Sequence, residues 1–388
     1  MMIRPSAIVT CAFCWLLPLF GAGICSAELS GNQSNPGPIA WRDPSPHSTR
    51  FVTVDKDVNL EVLDWGGTGR AVVLLSGLGN TAHVYDDFAQ KLVPKYHVYG
   101  ITRRGYGASS TPVPSENNYS ADRLGDDVLA VIEALKLVRP VLVGHSIAGE
   151  ELSSIGSRHP ERVAGLVYLD AVYGYAYYDS SRGWLTIDVA ELQKKLSKLV
   201  NGNSMGDWEV AQQLLQSDLP LLERELRAVP KGSAKLGSFP NPTPEDLASF
   251  KALSAWLARI QGVKFPESDL RAGSLASADG RPAGRKTPAS VPKAILSGGQ
   301  RYTQLPVPVL AICAYPKDLG PFAAADLDAR AASEALDAAI DGPQCQAFEK
   351  AVPSARVVRI AHSNHYVFIS NEAAVLREMH AFIRGLPQ

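Results

Sequence analysis

Six short apolar segments with the composition of buried strands recur along this chain, and stretches of helical periodicity separate most of them. They are AVVLLSG (71–77), YHVYGIT (96–102), PVLVGHS (140–146), VAGLVYLD (163–170), VPVLAICAY (307–315) and ARVVRIA (355–361). Continuous apolar strands joined through helices are typical of a parallel sheet that is covered on both faces. The pattern therefore predicts an α/β fold with a doubly wound, mostly parallel sheet.

Two segments before this series predict antiparallel strands. RFVTVD (50–55) and VNLEVLDWG (58–66) alternate apolar and polar residues, and Lys56 and Asp57 join them. Such alternation indicates strands with one face buried and one face exposed. We therefore expect a hairpin at the start of the sheet.

A long segment, 172–305, does not follow the strand–helix alternation. Helical patterns occur near 188–200, 208–215 and 244–260, and the Gly/Ala/Ser-rich stretch 272–290 predicts an irregular loop. Both ends of the segment join neighbouring strands, so we expect a mainly helical cap over the carboxyl ends of the strands. The core is then 50–171 with 306–388. A linker with a separate helical domain is the alternative.

The N-terminus predicts export. Arg4 precedes an almost uncharged run from 7 to 24, and the small residues up to Ala27 are typical of a signal-peptide cleavage site. We expect residues 1–27 to be a signal peptide, residues 28–49 to be an N-terminal extension, and the mature protein to be secreted or periplasmic without stable membrane insertion. A retained anchor is the alternative, because the apolar run approaches the length that spans a bilayer.

The composition predicts a globular protein, with 46% hydrophobic and 20% charged residues. Removal of residues 1–27 takes away Arg4 and changes the formal charge from −1 to −2, which does not indicate a nucleic-acid partner. Cys313 and Cys345 then remain in an oxidising compartment. The sequence leaves open whether they form a disulfide or stay two buried thiols.

The strand that ends in PVLVGHS leads into a turn that indicates chemistry. In VLVGHSIAGEE (141–151), Ser146 lies between an apolar strand and a segment of helical periodicity. Such a turn lifts the serine above the sheet and directs the next N–H groups towards negative charge, as a nucleophile and its oxyanion require. In the usual pattern G-x-S-x-G, Gly144 fits, Ala148 replaces the second glycine, and Gly149 follows. A serine that only caps the helix is the alternative interpretation.

With four further landmarks, the chain resembles the α/β-hydrolase superfamily from about 51 to 386. The landmarks are similar to the oxyanion loop, the Arg-Gly-x-Gly-x-Ser turn, the acid loop and the histidine loop of that family. They are LLSGLGNTAHVYDDF (74–88), TRRGYGASS (102–110), VLAICAYPKD (309–318) and the segment that begins HSNHYVF (362–368). The resemblance implies a Ser-Asp-His triad in that chain order.

For the acid and the base, the resemblance points to Asp318 and His365. Asp318 stands in the loop after VLAICAY, and Asp170, at the end of VYLD, is its rival. His365 directly precedes the pair Tyr366-Val367, as in the family pattern, whereas His362 is expected to be a neighbouring or surface residue. Two histidines three residues apart without a third nearby ligand do not indicate a metal site. His83, His97 and His145 are interpreted as packing or pocket residues.

The oxyanion hole implied by the resemblance consists of the main-chain N–H groups of Ile147 and Leu78. Attack by Ser146 would give an acyl-enzyme that water hydrolyses, with neither metal nor organic cofactor. The expected function is hydrolysis of a small-molecule carboxylic ester. A serine at the elbow argues against the epoxide hydrolases and haloalkane dehalogenases of the family, which use an aspartate there.

Three questions about function stay open at this stage. A lactonase and a C–C bond hydrolase would use the same triad, and a hydrolase-fold protein that binds a small molecule without chemistry is the alternative of another class. The aromatic segment AVYGYAYYD (171–179) begins the cap. Tyr173 and Tyr175 would suit an apolar or aromatic acyl group, but they would serve equally well to attach the cap to the core.

Overall fold

The computed structural model describes residues 41–201, 206–228 and 240–387. The predicted signal peptide (1–27) and most of the predicted extension (28–49) lie outside these ranges. Within them, every helix is too short or too polar to cross a lipid bilayer.

An eight-stranded sheet forms the centre of the fold, in the order β1-β2-β4-β3-β5-β6-β9-β10. The first two strands are antiparallel to their neighbours, and β3 to β6, β9 and β10 run parallel. The sheet strands are β1 Ser48–Asp55, β2 Val58–Gly66, β3 Ala71–Leu75, β4 His97–Ile101, β5 Val141–His145, β6 Gly165–Leu169, β9 Val309–Ala314 and β10 Ala355–Ile360. The predicted N-terminal hairpin and the predicted doubly wound, mostly parallel sheet are confirmed.

Helices cover both faces of the sheet and fill the interval between β6 and β9. Those outside that interval are α1 Asp86–Leu92, α2 Glu116–Tyr119, α3 Ala121–Ala134, α4 Ala148–Arg158, α11 Gly320–Ala325, α12 Leu327–Leu336, α13 Gly342–Ala351, α14 Val367–Ser370 and α15 Glu372–Gly385. At the start of α3, the hydroxyl of Ser120 accepts a hydrogen bond from the N–H of Arg123 and caps the helix.

The interval between β6 and β9 contains six helices in its described residues. They are α5 Leu185–Asn201, α6 Gly206–Gln213, α7 Leu219–Ala228, α8 Phe250–Gln261, α9 Glu267–Gly273 and α10 Ser290–Ser297. The expected irregular loop at 272–290 is wrong in part, because β7 Ser274–Ala276 and β8 Pro282–Arg285 pair as a short antiparallel hairpin. Asp279 and Gly280 supply its turn, and Gly280 has a φ of 80° that suits glycine.

Two apolar clusters fill the space on the two faces of the sheet. On one face, Val73 of β3 and Leu142 of β5 pack towards Leu152 of α4. On the other face, residues such as Val143 belong to a cluster that includes Phe368. Because successive side chains of a strand point to opposite faces, both clusters come from the same continuous apolar strands.

The two cysteines that the sequence left open form a disulfide. Cys313 lies in β9 and Cys345 in α13, and their Cα atoms are 6.8 Å apart. The bond fixes α13 to β9, the next-to-last strand of the sheet.

Candidate active site

Ser146 follows β5 on a sharp turn into α4. Its φ is 53°, in the left-handed region that a residue other than glycine rarely adopts. The N–H of Ser146 donates to the carbonyl oxygen of Leu169 at 3.2 Å, which ties the turn to the end of the neighbouring strand β6. Strain of this kind persists only where the surrounding structure holds it, and it is typical of functional sites.

The packing around the turn explains why its glycines stand where they do. A Cβ on Gly149 would overlap the carbonyl oxygen of Ala171, so no larger residue fits there without moving the main chain. A Cβ on Gly144 would lie 2.9 Å from the side chain of Leu152. Ala148, at the position of the second glycine in the usual pattern, is fully buried. The close approach that the usual pattern assigns to the second glycine is therefore made here by Gly149, one residue later.

The predicted oxyanion loop lies directly against the turn. A Cβ on Gly77 would be 3.2 Å from Cβ of Ser146 and 2.7 Å from Nδ1 of His145. Leu78 and Ile147 are both buried, and in the described ranges their main-chain N–H groups donate to no protein acceptor. Two free N–H groups next to a serine are the donors that a developing oxyanion needs.

A buried ion pair braces this loop against α4. The guanidinium of Arg103 pairs with Glu151, at 2.5 Å from Nε and 3.0 Å from Nη2, and Nη2 also donates to the carbonyl oxygen of Ser76 at 2.8 Å. Burial alone would lower the pKa of Arg103, but the charge of Glu151 keeps that pKa above its ordinary value. Arg103, the first arginine of the TRRGYGASS segment, therefore fixes the position of the oxyanion loop.

The carboxylate against His365 belongs to Asp170. Oδ2 of Asp170 lies 2.6 Å from Nδ1 of His365, and Oδ1 accepts from the N–H of Ala314 at 2.9 Å. Asp170 follows β6 with a φ of 44°. Since β6 is the neighbour of β5, this turn brings the carboxylate to the same sheet edge as Ser146.

The surroundings of Asp170 keep it ionised. Burial alone would raise its pKa, but Lys317 and the hydrogen bond to His365 lower the pKa of Asp170 to about 2. The Nζ of Lys317 is 3.7 Å from Oδ2 of Asp170, 2.8 Å from the hydroxyl of Tyr173 and 2.6 Å from Asp341. The hydroxyl of Tyr173 in turn donates to Oδ2 of Asp170 at 3.2 Å.

The predicted pairing of Asp318 with His365 is wrong. The Asp318 side chain is exposed, and its Oδ1 accepts from the N–H of Gly320 at 3.0 Å. The residue of this loop that reaches the site is Lys317, one position earlier. Its ammonium group lies beside Asp170, which follows the preceding strand of the sheet, β6.

The histidines lie close to where the sequence placed them. His362 is exposed in the loop after β10, whereas the ring of His365 lies 4.6 Å from the ring of His145, the residue before Ser146. Nε2 of His145 lies 3.0 Å from the carbonyl oxygen of His365. Burial, and then the proximity of His365, hold the pKa of His145 well below its ordinary value, so His145 is a neutral residue that supports the loop.

The start of the cap contributes two tyrosines to the site. Tyr173 contacts Asp170, as described above, and the hydroxyl of Tyr175 faces the side chain of Ser146. Burial raises the pKa of Tyr175 well above its ordinary value. The rings of Tyr173 and Tyr175 lie 5.5 Å apart, and that of Trp184 is 5.9 Å from Tyr175. An aromatic cluster therefore stands over the serine.

Sequence reasoning missed two contributions to the site, Lys317 and the support that the cap gives to the oxyanion loop. Asp269 of α9 accepts hydrogen bonds of 2.8 Å from Asn80 Nδ2, from Thr81 N–H and from Thr81 Oγ1. For Lys317, the available signal in the sequence was its position directly before Asp318, the predicted acid. No local pattern connects Asp269 to a loop almost two hundred positions earlier.

Comparisons with known proteins agree with the fold. The family model described as "alpha/beta hydrolase fold" matches residues 70–256. Among solved structures, E-2-(acetamidomethylene)succinate hydrolase has a TM-score of 0.53 at 18% identity, over 87% of this chain and 100% of that one. A Vigna radiata epoxide hydrolase mutant also has a TM-score of 0.53 at 18% identity, over 87% of this chain and 99% of that one. At such identities the likeness concerns the fold alone.

Among curated proteins, the chain is similar to a fluoroacetate dehalogenase of Burkholderia sp., with 34% identity over 34% of this chain and 43% of that protein. It is also similar to a putative carbamate hydrolase of Caulobacter segnis, with 34% identity over 30% of this chain and 44% of that protein. The chain thus matches less than half the length of these relatives. The matched family model and the sheet with its elbow lead to one conclusion: the chain has the α/β-hydrolase fold and is similar to that superfamily.

Proposed function

We propose that this protein is a serine hydrolase that cleaves small-molecule carboxylic esters, with Ser146 as nucleophile, His365 as base and Asp170 as acid. The observation that carries the proposal is the 2.6 Å contact between Asp170 and His365, at the sheet edge where Ser146 has a positive φ. The oxyanion donors are the N–H groups of Ile147 and Leu78.

The reaction follows from the roles of these groups. Because Nδ1 of His365 donates to Asp170, Nε2 is the basic nitrogen, and it takes the proton of Ser146 Oγ as the oxygen bonds to the carbonyl carbon. The carbonyl oxygen becomes an oxyanion, which the two N–H groups stabilise. Collapse breaks the bond to the leaving alcohol, which receives the proton from His365. Water then attacks the acyl-enzyme by the same steps and restores Ser146.

The serine oxygen favours substrates with a carbonyl carbon. Attack on a saturated carbon, as in an alkyl halide or an epoxide, would leave an ether on Ser146, and the site holds no group that makes an ether hydrolysable. An acyl ester of Ser146 is hydrolysed by the same base and the same oxyanion donors. This argument supports an ester, a lactone or a cleavable C–C bond next to a carbonyl over the substrates named for the dehalogenase and the epoxide hydrolase.

The acyl group is proposed to be apolar or aromatic. Tyr175 faces Ser146, and Trp184 packs against Tyr175 in the buried cluster at the start of the cap. Aromatic walls bury apolar surface and leave few polar groups to be satisfied. A panel of p-nitrophenyl esters from acetate to benzoate, together with lactones, measures this preference through kcat/KM.

The test of the nucleophile is the variant Ser146→Ala. We expect ester turnover to fall by about 10⁴–10⁶-fold, as when a triad nucleophile is removed, and labelling by a serine-reactive fluorophosphonate to vanish. The matched control is Ser157→Ala in α4, the helix that follows Ser146. The hydroxyl of Ser157 donates to the carbonyl oxygen of Gln304 at 2.6 Å, and this variant should keep both ester turnover and labelling. Parent-level turnover and labelling in Ser146→Ala would refute the proposal. Inactivity of the parent on every ester and lactone, with no labelling, would favour a binding protein without chemistry.

We also propose that the protein is exported. The N-terminal pattern of residues 1–27 and the Cys313–Cys345 disulfide support this, because disulfides persist mainly in oxidising compartments. Cell fractionation with N-terminal sequencing of the mature protein tests it. A cytosolic protein that keeps its first residues would contradict the proposal.

A further inference from the structure

A second cluster of titratable side chains lies outside the proposed active site. Asp43 and His47 come from the segment before β1, and His83 and Asp86 come from the turn that opens α1. One ligand atom from each of the four lies within 4.8 Å of the others. We refer to these four residues as the His/Asp cluster.

We propose that the His/Asp cluster binds one divalent cation of the zinc type, which fastens the segment before β1 to the core. A tetrahedral site with metal–ligand bonds of 2.0–2.1 Å has ligand atoms about 3.3 Å apart. In the cluster, Nδ1 of His83 is 3.1 Å from Asp86 Oδ2 and 3.2 Å from Asp43 Oδ2, and Nδ1 of His47 is 3.6 Å from Asp86 Oδ1. These three separations are close to the edges of such a tetrahedron, and because Asp86 faces His83 with Oδ2 and His47 with Oδ1, small side-chain rotations would complete the site.

The state of His47 is an independent indication of a ligand. Its side chain is only 6% exposed, yet its Nδ1 has no hydrogen-bond partner in the described part of the chain. The 3.6 Å to Asp86 is too long for a hydrogen bond. A buried polar nitrogen without a partner costs free energy. A cation between His47 and the two carboxylates would satisfy it.

The contacts around the cluster orient its members as metal ligands are usually oriented. Oδ1 of Asp43 accepts from the N–H of Ser45 at 2.9 Å, which leaves Oδ2 facing His83. Asp86 accepts from Trp65 Nε1 at 3.2 Å and from the hydroxyl of Ser268. Hydrogen bonds of this type fix the orientation of the side chains that bind the metal directly, and they are a regular part of metal sites.

His83 presents the correct nitrogen to the cluster. Its Nδ1 faces the two aspartates, and its Nε2 faces Oε1 of Glu61 at 3.9 Å. A small rotation of the ring would let Nε2–H donate to Glu61. That arrangement, a carboxylate behind a ligating histidine, fixes the tautomer in which Nδ1 carries a lone pair.

The donor set selects the class of cation. Two imidazole nitrogens with two carboxylate oxygens suit zinc and its neighbours in the first transition series, whereas calcium and magnesium take six or more oxygen ligands. Two ionised carboxylates also balance the charge of a divalent cation. The competing occupant is a proton, because a protonated His83 between the same carboxylates would form ordinary ion pairs.

The position of the cluster predicts what the cation does. The segment 41–47 has no strand partner of its own, whereas His83 and Asp86 follow the oxyanion loop and start α1. A bond through a metal would join the two and stabilise the folded state, since a ligand that binds only the folded chain raises its stability. The role is therefore structural.

The test uses the full mature chain, treated with EDTA and then titrated with Zn²⁺ alone. We expect the parent to take up one equivalent, measured by calorimetry and by elemental analysis after gel filtration, and Co²⁺ to give the visible absorption of a tetrahedral site. Zn²⁺ at about a hundredfold excess over its Kd should raise the Tm by roughly 5 °C. His47→Ala and Asp43→Asn, both outside the core strands, should each lower the affinity by about tenfold or more.

The control is His97→Ala, because His97 also pairs with an aspartate, Asp64, at 2.9 Å but is not part of the cluster. It should bind Zn²⁺ like the parent. A parent chain that retains no zinc and melts at the same temperature with Zn²⁺ and with EDTA would overturn the proposal, and the cluster would then hold only a proton. Zinc uptake that survives His47→Ala and Asp43→Asn would overturn it as well, since the metal would lie elsewhere.

Discussion

The variant Asp170→Asn separates the two candidate acids most sharply. In the folded protein Oδ1 accepts from the N–H of Ala314, so the amide oxygen of an asparagine would take that place. The amide NH₂ would then occupy the Oδ2 position, 2.6 Å from Nδ1 of His365. A donor there makes Nδ1 the acceptor and puts the proton on Nε2, which is the tautomer that cannot accept the proton of Ser146.

Two effects set the size of the loss in kcat: the missing negative charge and the wrong tautomer of His365. The charge is present in the parent, because the pKa of Asp170 lies near 2, against an ordinary 3.8, which corresponds to about 2–3 kcal/mol in favour of the charged carboxylate. In the transition state His365 is an imidazolium, and two unit charges about 4 Å apart attract by about 4 kcal/mol at an effective dielectric constant near 20. Losing that attraction lowers the rate by about 10³-fold. With the wrong tautomer added, we expect kcat to fall by about 10³–10⁴-fold.

The assay is steady-state hydrolysis of a p-nitrophenyl ester, with circular dichroism and thermal melting to confirm folding. Lys317 keeps Asp341 as a partner at 2.6 Å, so the variant should fold. The matched control is Asp318→Asn, which changes an exposed carboxylate and should keep kcat within about threefold of the parent, because surface changes are usually small. A folded Asp170→Asn within tenfold of the parent, together with a large loss in Asp318→Asn, would refute the assignment.

Three further predictions concern ionisation, the disulfide and the cap. Glu150 is buried with no partner for either carboxyl oxygen among the described residues, and burial raises its pKa well above 4.5. Because the unfolded chain ionises above that pH and the folded one does not, this group's contribution to stability falls as pH rises. The free energy of unfolding of Glu150→Gln should therefore rise relative to the parent between pH 5 and 8, by at most about 1.4 kcal/mol per pH unit, and should show no pH-dependent difference below pH 4. Thermal melting across this pH range measures it, and an offset that stays constant with pH would contradict the prediction. Replacing Cys313 and Cys345 by alanine should lower the free energy of unfolding in urea by about 3–4 kcal/mol for a loop of 32 residues, and an unchanged midpoint would contradict it. Tyr175→Ala should change the ratio of kcat/KM between acetate and benzoate esters, whereas Asp269→Ala should lower kcat for all of them by about tenfold; the reverse pattern would exchange their roles.

The core of the fold could be predicted from the sequence because its signal is local. Each parallel strand is a continuous apolar run, as VLV at 141–143 shows, and burial on both faces leaves no other arrangement for such runs. The signal for the elbow is local as well, because close packing around the turn requires glycine at Gly144 and Gly149. The hairpin of β7 and β8 escaped prediction because its strands are three and four residues long and poor in β-branched residues.

The acid could not be assigned from the sequence, because two aspartates meet the same local condition. Asp170 and Asp318 both follow a buried strand, and both lie between the serine and the histidine in chain order. The difference is geometric: Asp170 continues the strand next to β5 and turns inward with a positive φ, whereas the chain at 318 has already left the sheet. Only the relative position of β6, β9 and β10 decides between them, and that is a tertiary property.

The cap does two different kinds of work at this site. Tyr175, at its start, faces the side chain of Ser146, so in the proposed mechanism an acyl group on the serine would lie near that ring. Asp269, near its far end, holds Asn80 and Thr81 and so fixes the loop that carries the N–H of Leu78. A contact with substrate discriminates between substrates, while a contact with the oxyanion loop changes transition-state stabilisation for all of them alike. In the proposed mechanism the cap therefore supports catalysis as well as covering the site, and we expect its removal to abolish turnover even of the smallest ester.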